Sequence, residues 1–218
     1  MASLPEAFDK QLFRSLAARA VWLPGKAVTL GDVVQRRNGE FHKVAHINNF
    51  GAQMQTMGHS DTSLDLSSTS VTQKIFQLGA ELPDTANLDL SADASVKLAF
   101  KGKSQFVLKT PTLAGGSIQN LLEIAGIVAP LANWQHDQFF IVHELYTAVD
   151  WSFLGTKDKS ADVEFTGKGA AILSFLSAGA TLGLKSSGSI EVKILGQGGA
   201  IAQNVARVRR DGQIVFDV

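Results

Sequence analysis

The chain has 218 residues, 45% hydrophobic and 18% charged, with 20 Lys+Arg against 20 Asp+Glu. That length suits one domain or two small ones with a real core, and the balanced charge lacks the basic excess of a dedicated nucleic-acid binder. Cysteine is absent, which excludes disulfides, thiolate metal sites, a Cys nucleophile and S-palmitoylation.

Met1-Ala2-Ser3-Leu4-Pro5-Glu6 has no basic n-region before an apolar run, and Ala2 rules out N-myristoylation. Ser3-Leu4-Pro5-Glu6 reads instead as a helix start, with Phe8, Leu12, Phe13 and Leu16 on one face. Ala20–Leu23 is a short strand stopped by Pro24-Gly25. Gly31–Arg37 and Glu40–Ile47 flank Asn38-Gly39, a hairpin signal. Asn48–Ser70 is polar and reads as a long loop with at most a short strand. Val71–Leu82 is a further strand.

From Leu88 to Phe100 every even position is apolar: Leu88, Leu90, Ala92, Ala94, Val96, Leu98 and Phe100. Asp89, Ser91, Asp93, Ser95, Lys97 and Ala99 alternate with them, a period of 2 over 13 residues. Lys101-Gly102-Lys103-Ser104 is a turn, and Gln105–Thr110 returns with Phe106 and Leu108 on one face until Pro111. Ser117 opens a helix through Ile118, Leu121, Leu122, Ala125 and Val128, stopped by Pro130. Gln138–Leu154 is strand-like. After a Gly155–Ser160 turn, Ala161, Val163 and Phe165 alternate with Asp162, Glu164 and Thr166. Ala170–Leu176 reads as a short helix, followed by strands Ala180–Lys185, Ile190–Leu195, Ala200–Arg209 and, past Asp211-Gly212, Gln213–Val218. The expected class is α+β: a single domain over 1–218, with a long, twisted, mostly antiparallel sheet and a few flanking helices.

Motifs for chemistry fail their context tests. His42 and His46 are four apart, but on a strand that spacing is too wide to chelate one ion. His59-Ser60-Asp61 and His143-Glu144 pair an imidazole with a carboxylate, and the sequence places no third group beside either. No Gly-x-Ser-x-Gly occurs. Gly102-Lys103-Ser104 lacks the upstream P-loop glycine, since Lys97 stands there. Gly196-Gln197-Gly198-Gly199 sits between strands and reads as a turn. Neither a metal nor a nucleotide cofactor is expected, and catalysis by His143 and Glu144, or His59 and Asp61, ranks last.

The alternating strands admit two readings. A core face alternating with a wet face is ordinary in antiparallel sheets. Two hairpins, Leu88–Thr110 and Phe139–Thr166, have arms near the 9–11 or so residues that cross a bilayer as a tilted strand, and barrel strands share the dyad pattern. Arg207, Arg209 and Arg210, with Lys97, Lys101, Lys103 and Lys109, are cations that can face anionic headgroups. Neither Ile118–Trp134 nor Gly167–Leu184 is a helical span of about 20 apolar residues.

Leu12-Phe13-Arg14-Ser15-Leu16, then Val21-Trp22-Leu23-Pro24 and Leu30-Gly31-Asp32-Val33-Val34, resemble the opening helix, short strand and first hairpin of bacterial gasdermins. The long strand pair is also similar to that family. So is the closing pattern of Ile190–Leu195, a Gly-rich turn, Val205-Ala206-Arg207-Val208, Asp-Gly and a last strand. The resemblance implies a soluble cytoplasmic protein that moves to the membrane on activation by a protease. There it self-associates into pores that kill the host cell during phage infection. It departs from the family in lacking an N-terminal Cys for lipidation and in ending at Val218 with no expected inhibitory tail. The expected partners are anionic membrane lipids and further copies of the chain, with no nucleic acid.

On this reading Leu88, Leu90, Val96, Leu98, Phe100, Phe106, Leu108, Val163 and Phe165 insert into the membrane. Lys97, Lys101, Lys103 and Lys109 contact headgroups. In the soluble fold the apolar face is expected to pack on the Ile118–Val128 helix. The rival is a non-enzymatic cytoplasmic protein- or lipid-binding module that stays folded.

Overall fold

Ser3 and Glu6 form a reciprocal cap: the Ser3 amide donates to Glu6 Oε2 (2.7 Å) and the Glu6 amide to Ser3 Oγ (3.5 Å). This starts α1, Leu4–Leu16. The structure is a computed structural model and describes residues 3–37, 40–156, 161–169, 183–187 and 190–217. The Asn38-Gly39 turn, most of the Gly155–Ser160 turn and the Ala170–Leu176 helix lie outside the described residues.

The strands, in chain order, are β1 (Arg19–Ala20), β2 (Asp32–Arg37), β3 (Glu40–His46), β4 (Thr56–Gly58), β5 (Thr62–Ser67), β6 (Val71–Gln77), β7 (Ala80–Leu82), β8 (Asp93–Phe100), β9 (Gln105–Ile118), β10 (Phe139–Ala148), β11 (Asp150–Thr156), β12 (Ala161–Lys168), β13 (Gly183–Ser187), β14 (Ile190–Gln197), β15 (Ala200–Val208) and β16 (Ile214–Asp217). The second α-helix is α2, Leu121–Val128. The pairings with a defined register are antiparallel, as the α+β reading requires. The chain divides into two compact units, residues 1–11, 62–113 and 148–198 in the first, and 12–61, 114–147 and 199–218 in the second.

The first unit has two sheets. One runs β13-β12-β8-β6-β7. In the other β9 pairs with β5 and β11, and β11 with β14. Val96, Leu98 and Phe100 of β8, Val163 and Phe165 of β12, Val107 of β9 and Leu154 of β11 make one core. Residues 105–110 of β9 and 151–156 of β11 are buried on both faces, because Phe8 of α1 packs edge-on against Phe106 (5.2 Å) and Phe153 (5.1 Å) on the other side.

The second unit is built on β2, β10 and β15, in register at Val33, Ile141 and Ala206. Those residues share one core with Ile124 and Val128 of α2, Ile47 and Trp134. The opposite face buries Val34, Val142 and Val205. Asp32 is fully buried; its carboxylate accepts the Thr29 amide (2.9 Å) and hydroxyl (2.8 Å) and pairs with Lys43 (2.6 Å). It closes the entry to the β2–β3 hairpin.

The structure corrects several sequence expectations. The period-2 stretch from Leu88 does not form one strand, since β8 begins at Asp93. Asp89 Oδ1 accepts the Ser91 amide (2.9 Å) and hydroxyl (2.7 Å), an Asx turn. The buried Gln77 side chain also takes both backbone groups of Asp89, so nothing is left for a ladder there. Pro111 does not end its strand: β9 continues to Ile118. The β5 pairing skips at that point, Thr62 opposite Leu113 but Leu64 opposite Thr110, and a proline is tolerated at such a bulge. Ile118 therefore belongs to β9, and the helix begins only at Leu121. Gln138–Leu154 is two strands broken at Val149, whose amide donates to Thr112. Asn48–Ser70 holds a 3₁₀ turn, Ile47–Phe50, with β4 and β5.

The largest correction concerns the two hairpins. β8 and β9 do not pair with each other, nor do β11 and β12. β8 pairs with β12 in one sheet and β9 with β11 in the other. β8 buries one face and exposes the other, while Phe106-Val107-Leu108 is apolar on both faces and has to lie between layers. The α2 helix does not cover the β8 face either. That face packs on β9 and β11, and α2 buries itself against β2, β10 and β15.

Candidate functional site

The β8 and β12 strands carry the alternation that motivated the membrane reading. They are in register over eight pairs, from Ala161–Phe100 to Lys168–Asp93. Val96, Leu98, Phe100, Val163 and Phe165 point into the core, each at most 2% exposed. The other face carries Asp93–Lys168 (2.7 Å) and Lys97–Glu164 (3.7 Å) as cross-strand ion pairs, and the Lys97 ammonium lies 4.8 Å over the Phe76 ring. Polar side chains on one face and close-packed apolar ones on the other follow from the period of 2.

The structure places the remaining candidates elsewhere. Leu88 joins the same core from the segment before β8, but Leu90 is 51% exposed in the turn. Phe106 and Leu108 face away from Val96, towards Phe8 and Phe153. Lys101 and Lys103 are exposed on the turn. Lys109 is not exposed: its side chain is buried and pairs with Asp65 at 2.6 Å.

A polar cluster in the second unit was only half legible in the sequence. His59 does not pair with Asp61. Its Nδ1 lies 3.9 Å from Glu144 Oε1, and its Nε2 3.1 Å from Ser117 Oγ. Glu144 also accepts from Tyr146 (2.9 Å) and from Asn204 (2.7 Å). The ring lies on Gly115, where an added Cβ would come within 3.0 Å of it. The Gly115-Gly116 pair inside a strand was the available signal of a close approach. Ser117 sits in the β4–β9 ladder, opposite Met57, and the arrangement ties β4, β9, β10 and β15 together. His143 points elsewhere, edge-on to Phe216 (5.1 Å), and its burial lowers its pKa against the opposing charge of Glu144.

Burial first, then the Glu144 hydrogen bond and charge, push the Tyr146 phenol up from its usual 10.0 to about 12. Its contribution to stability is complete below the unfolded pKa and is lost as pH rises from 10.0 towards about 12. Urea midpoints measured across that window are expected to fall, and Tyr146→Phe to flatten the fall.

Among the described residues no group of three or more His, Asp or Glu is placed to hold a metal. No described helix is long and apolar enough to cross a membrane, which says nothing of strands.

No family model matches the chain, and no curated protein matches it. Among solved structures the chain is similar to a bacterial gasdermin from Bradyrhizobium tropiciagri. The identity is 11%, with 99% of this chain and 91% of that one covered, at a TM-score of 0.38. It is also similar to the gasdermin A3 membrane pore, at 12% identity, 100% and 95% coverage and a TM-score of 0.32.

Proposed function

We propose that the chain is a gasdermin-like pore-forming protein that takes strands β8, β9 and β12 out of their resting sheets for insertion into a membrane. The observation that carries this is the β8–β12 alternation, with a wholly apolar buried face and a charged outer face. Turned outward, the buried face meets lipid and the charged face a water-filled lumen, the pattern of a barrel strand. Barrel closure between copies of the chain satisfies every backbone group in lipid.

Insertion requires β8 and β9 to leave their separate sheets and pair with each other. Their apolar sets share a lipid face only when even positions oppose even positions. Phe100 opposite Phe106 does this and brings Leu98 opposite Leu108. Lys109 then leaves Asp65 and lies opposite Lys97 on the lumen side, while Lys101 and Lys103 at the tip reach headgroups. Self-association and anionic lipid are the partners this reading needs, with a cytoplasmic resting state. A protease trigger follows from the family resemblance alone.

Dye release from liposomes containing phosphatidylglycerol, with and without limited proteolysis, tests the reading. Leakage that rises steeply with protein concentration is the expected result. Intact liposomes under both conditions would leave the folded binding module as the better account.

A further inference from the structure

We infer that Arg207, Arg209 and Arg210 form a binding site for a small phosphate-bearing anion, independent of the proposed membrane strands. The three line a concavity of about 450 Å³ with His136, Asp137 and Asp211. Antiparallel pairing builds it: Arg207 near the end of β15 lies opposite Phe140 near the start of β10, so the segment before β10 meets the β15–β16 turn. The Trp134 indole N–H donates to the Val208 carbonyl (3.3 Å), and His136 Nε2 lies 2.8 Å from the Ala129 carbonyl. The walls are therefore held from both sides. In the turn, the Arg209 amide donates to Gln213 and its carbonyl accepts from Gly212.

Several other cations of this unit have carboxylate partners. Lys26, Arg36 and Lys43 each pair with a carboxylate, those of Glu40, Asp217 and Asp32. Among the described residues no carboxylate reaches Arg207, Arg209 or Arg210 within ion-pair distance, although Asp137 and Asp211 line the same concavity. Three guanidinium groups around one small volume repel one another, and a multiply charged anion among them relieves that repulsion. The planar guanidinium fork fits a tetrahedral oxyanion with paired hydrogen bonds. Asp137 and Asp211 oppose an anion but are outnumbered by the three arginines, and the cluster is local, unlike the extended stripe of a nucleic-acid binder. The ligand class is a phosphate monoester or diphosphate, either free or at the head of a lipid.

Pyrophosphate titrated into the intact protein at low salt, read by calorimetry, is the first measurement. Flotation with vesicles of phosphatidylcholine and phosphatidic acid is the second. Arg207→Gln/Arg209→Gln/Arg210→Gln is expected to weaken pyrophosphate binding about tenfold or more. Lys74→Gln, at an exposed lysine of the first unit that pairs with Glu81, should leave it unchanged. Flotation lost in the arginine variant assigns the site to a lipid phosphate, and pyrophosphate binding without flotation assigns it to a soluble one. Circular dichroism confirms folding, and the single variant Arg210→Gln, at an exposed turn position, repeats the test with least disturbance. The inference is overturned when neither measurement depends on the three arginines. Dye release is read separately, so that result leaves the pore reading standing.

Discussion

Phe153→Ala is expected to cost about 3–5 kcal/mol of folding stability, the range for removing a large aromatic from a core. Phe153 is 0% exposed, stacks on Phe106 with centroids 5.9 Å apart and meets Phe8 edge-on at 5.1 Å. Phe8 and Phe106 are themselves at most 1% exposed, so no neighbour can swing in from solvent to fill the gap. The neighbouring register pair, Gly155 opposite Phe106, leaves the space that Leu4 and the Phe153 ring occupy. Chemical denaturation read by far-ultraviolet circular dichroism measures the loss. Leu90→Ala, at a position 51% exposed, should fall within about 0.5 kcal/mol of the parent. Equal effects at the two sites would show that the aromatic cluster is not the mainstay of its unit.

The same cluster explains what was legible in the sequence. Period 2 located the inward face of β8 and β12 correctly, because side-chain alternation depends only on a local backbone geometry. It could not say where β8 starts. That is decided by Gln77, which lies twelve residues away and holds both backbone groups of Asp89. Nor could it say that the arms of each expected hairpin enter different sheets. A four-residue turn such as Lys101–Ser104 suits either a hairpin or a crossing between layers, and the choice rests on the two-sided burial of β9. The polar cluster was hidden for a simpler reason. His59, Ser117, Glu144 and Asn204 come from four distant segments, and only tertiary pairing brings them together. The arginines, in contrast, stood together in the sequence. Their lack of carboxylate partners among the described residues became visible only in the structure.

On the proposed pore reading, cross-linking β6 to β8 is expected to abolish membrane permeabilisation. Thr72 and Ala99 are register partners on the outer face of that pair, and directly opposed residues have Cβ atoms about 4.5–5.5 Å apart. The geometry is close to that of a disulfide. The chain has no cysteine of its own, so Thr72→Cys/Ala99→Cys creates a single possible bridge. Whichever neighbours β8 adopts in a barrel, pairing with β9 on one side and with another inserted strand on the other leaves no edge for β6. The bridge keeps β6 on that edge. Closing this loop should also stabilise the resting fold by about 3–4 kcal/mol in the chain-entropy account, so loss of activity through unfolding is distinguishable by a thermal melt. Oxidised protein is expected to leave dye-filled liposomes intact, reductant to restore leakage, and each single-cysteine variant to behave as the parent does. Equal leakage from oxidised and reduced double variants would mean that β8 never leaves β6, and insertion of the β8–β9 pair would have to be abandoned.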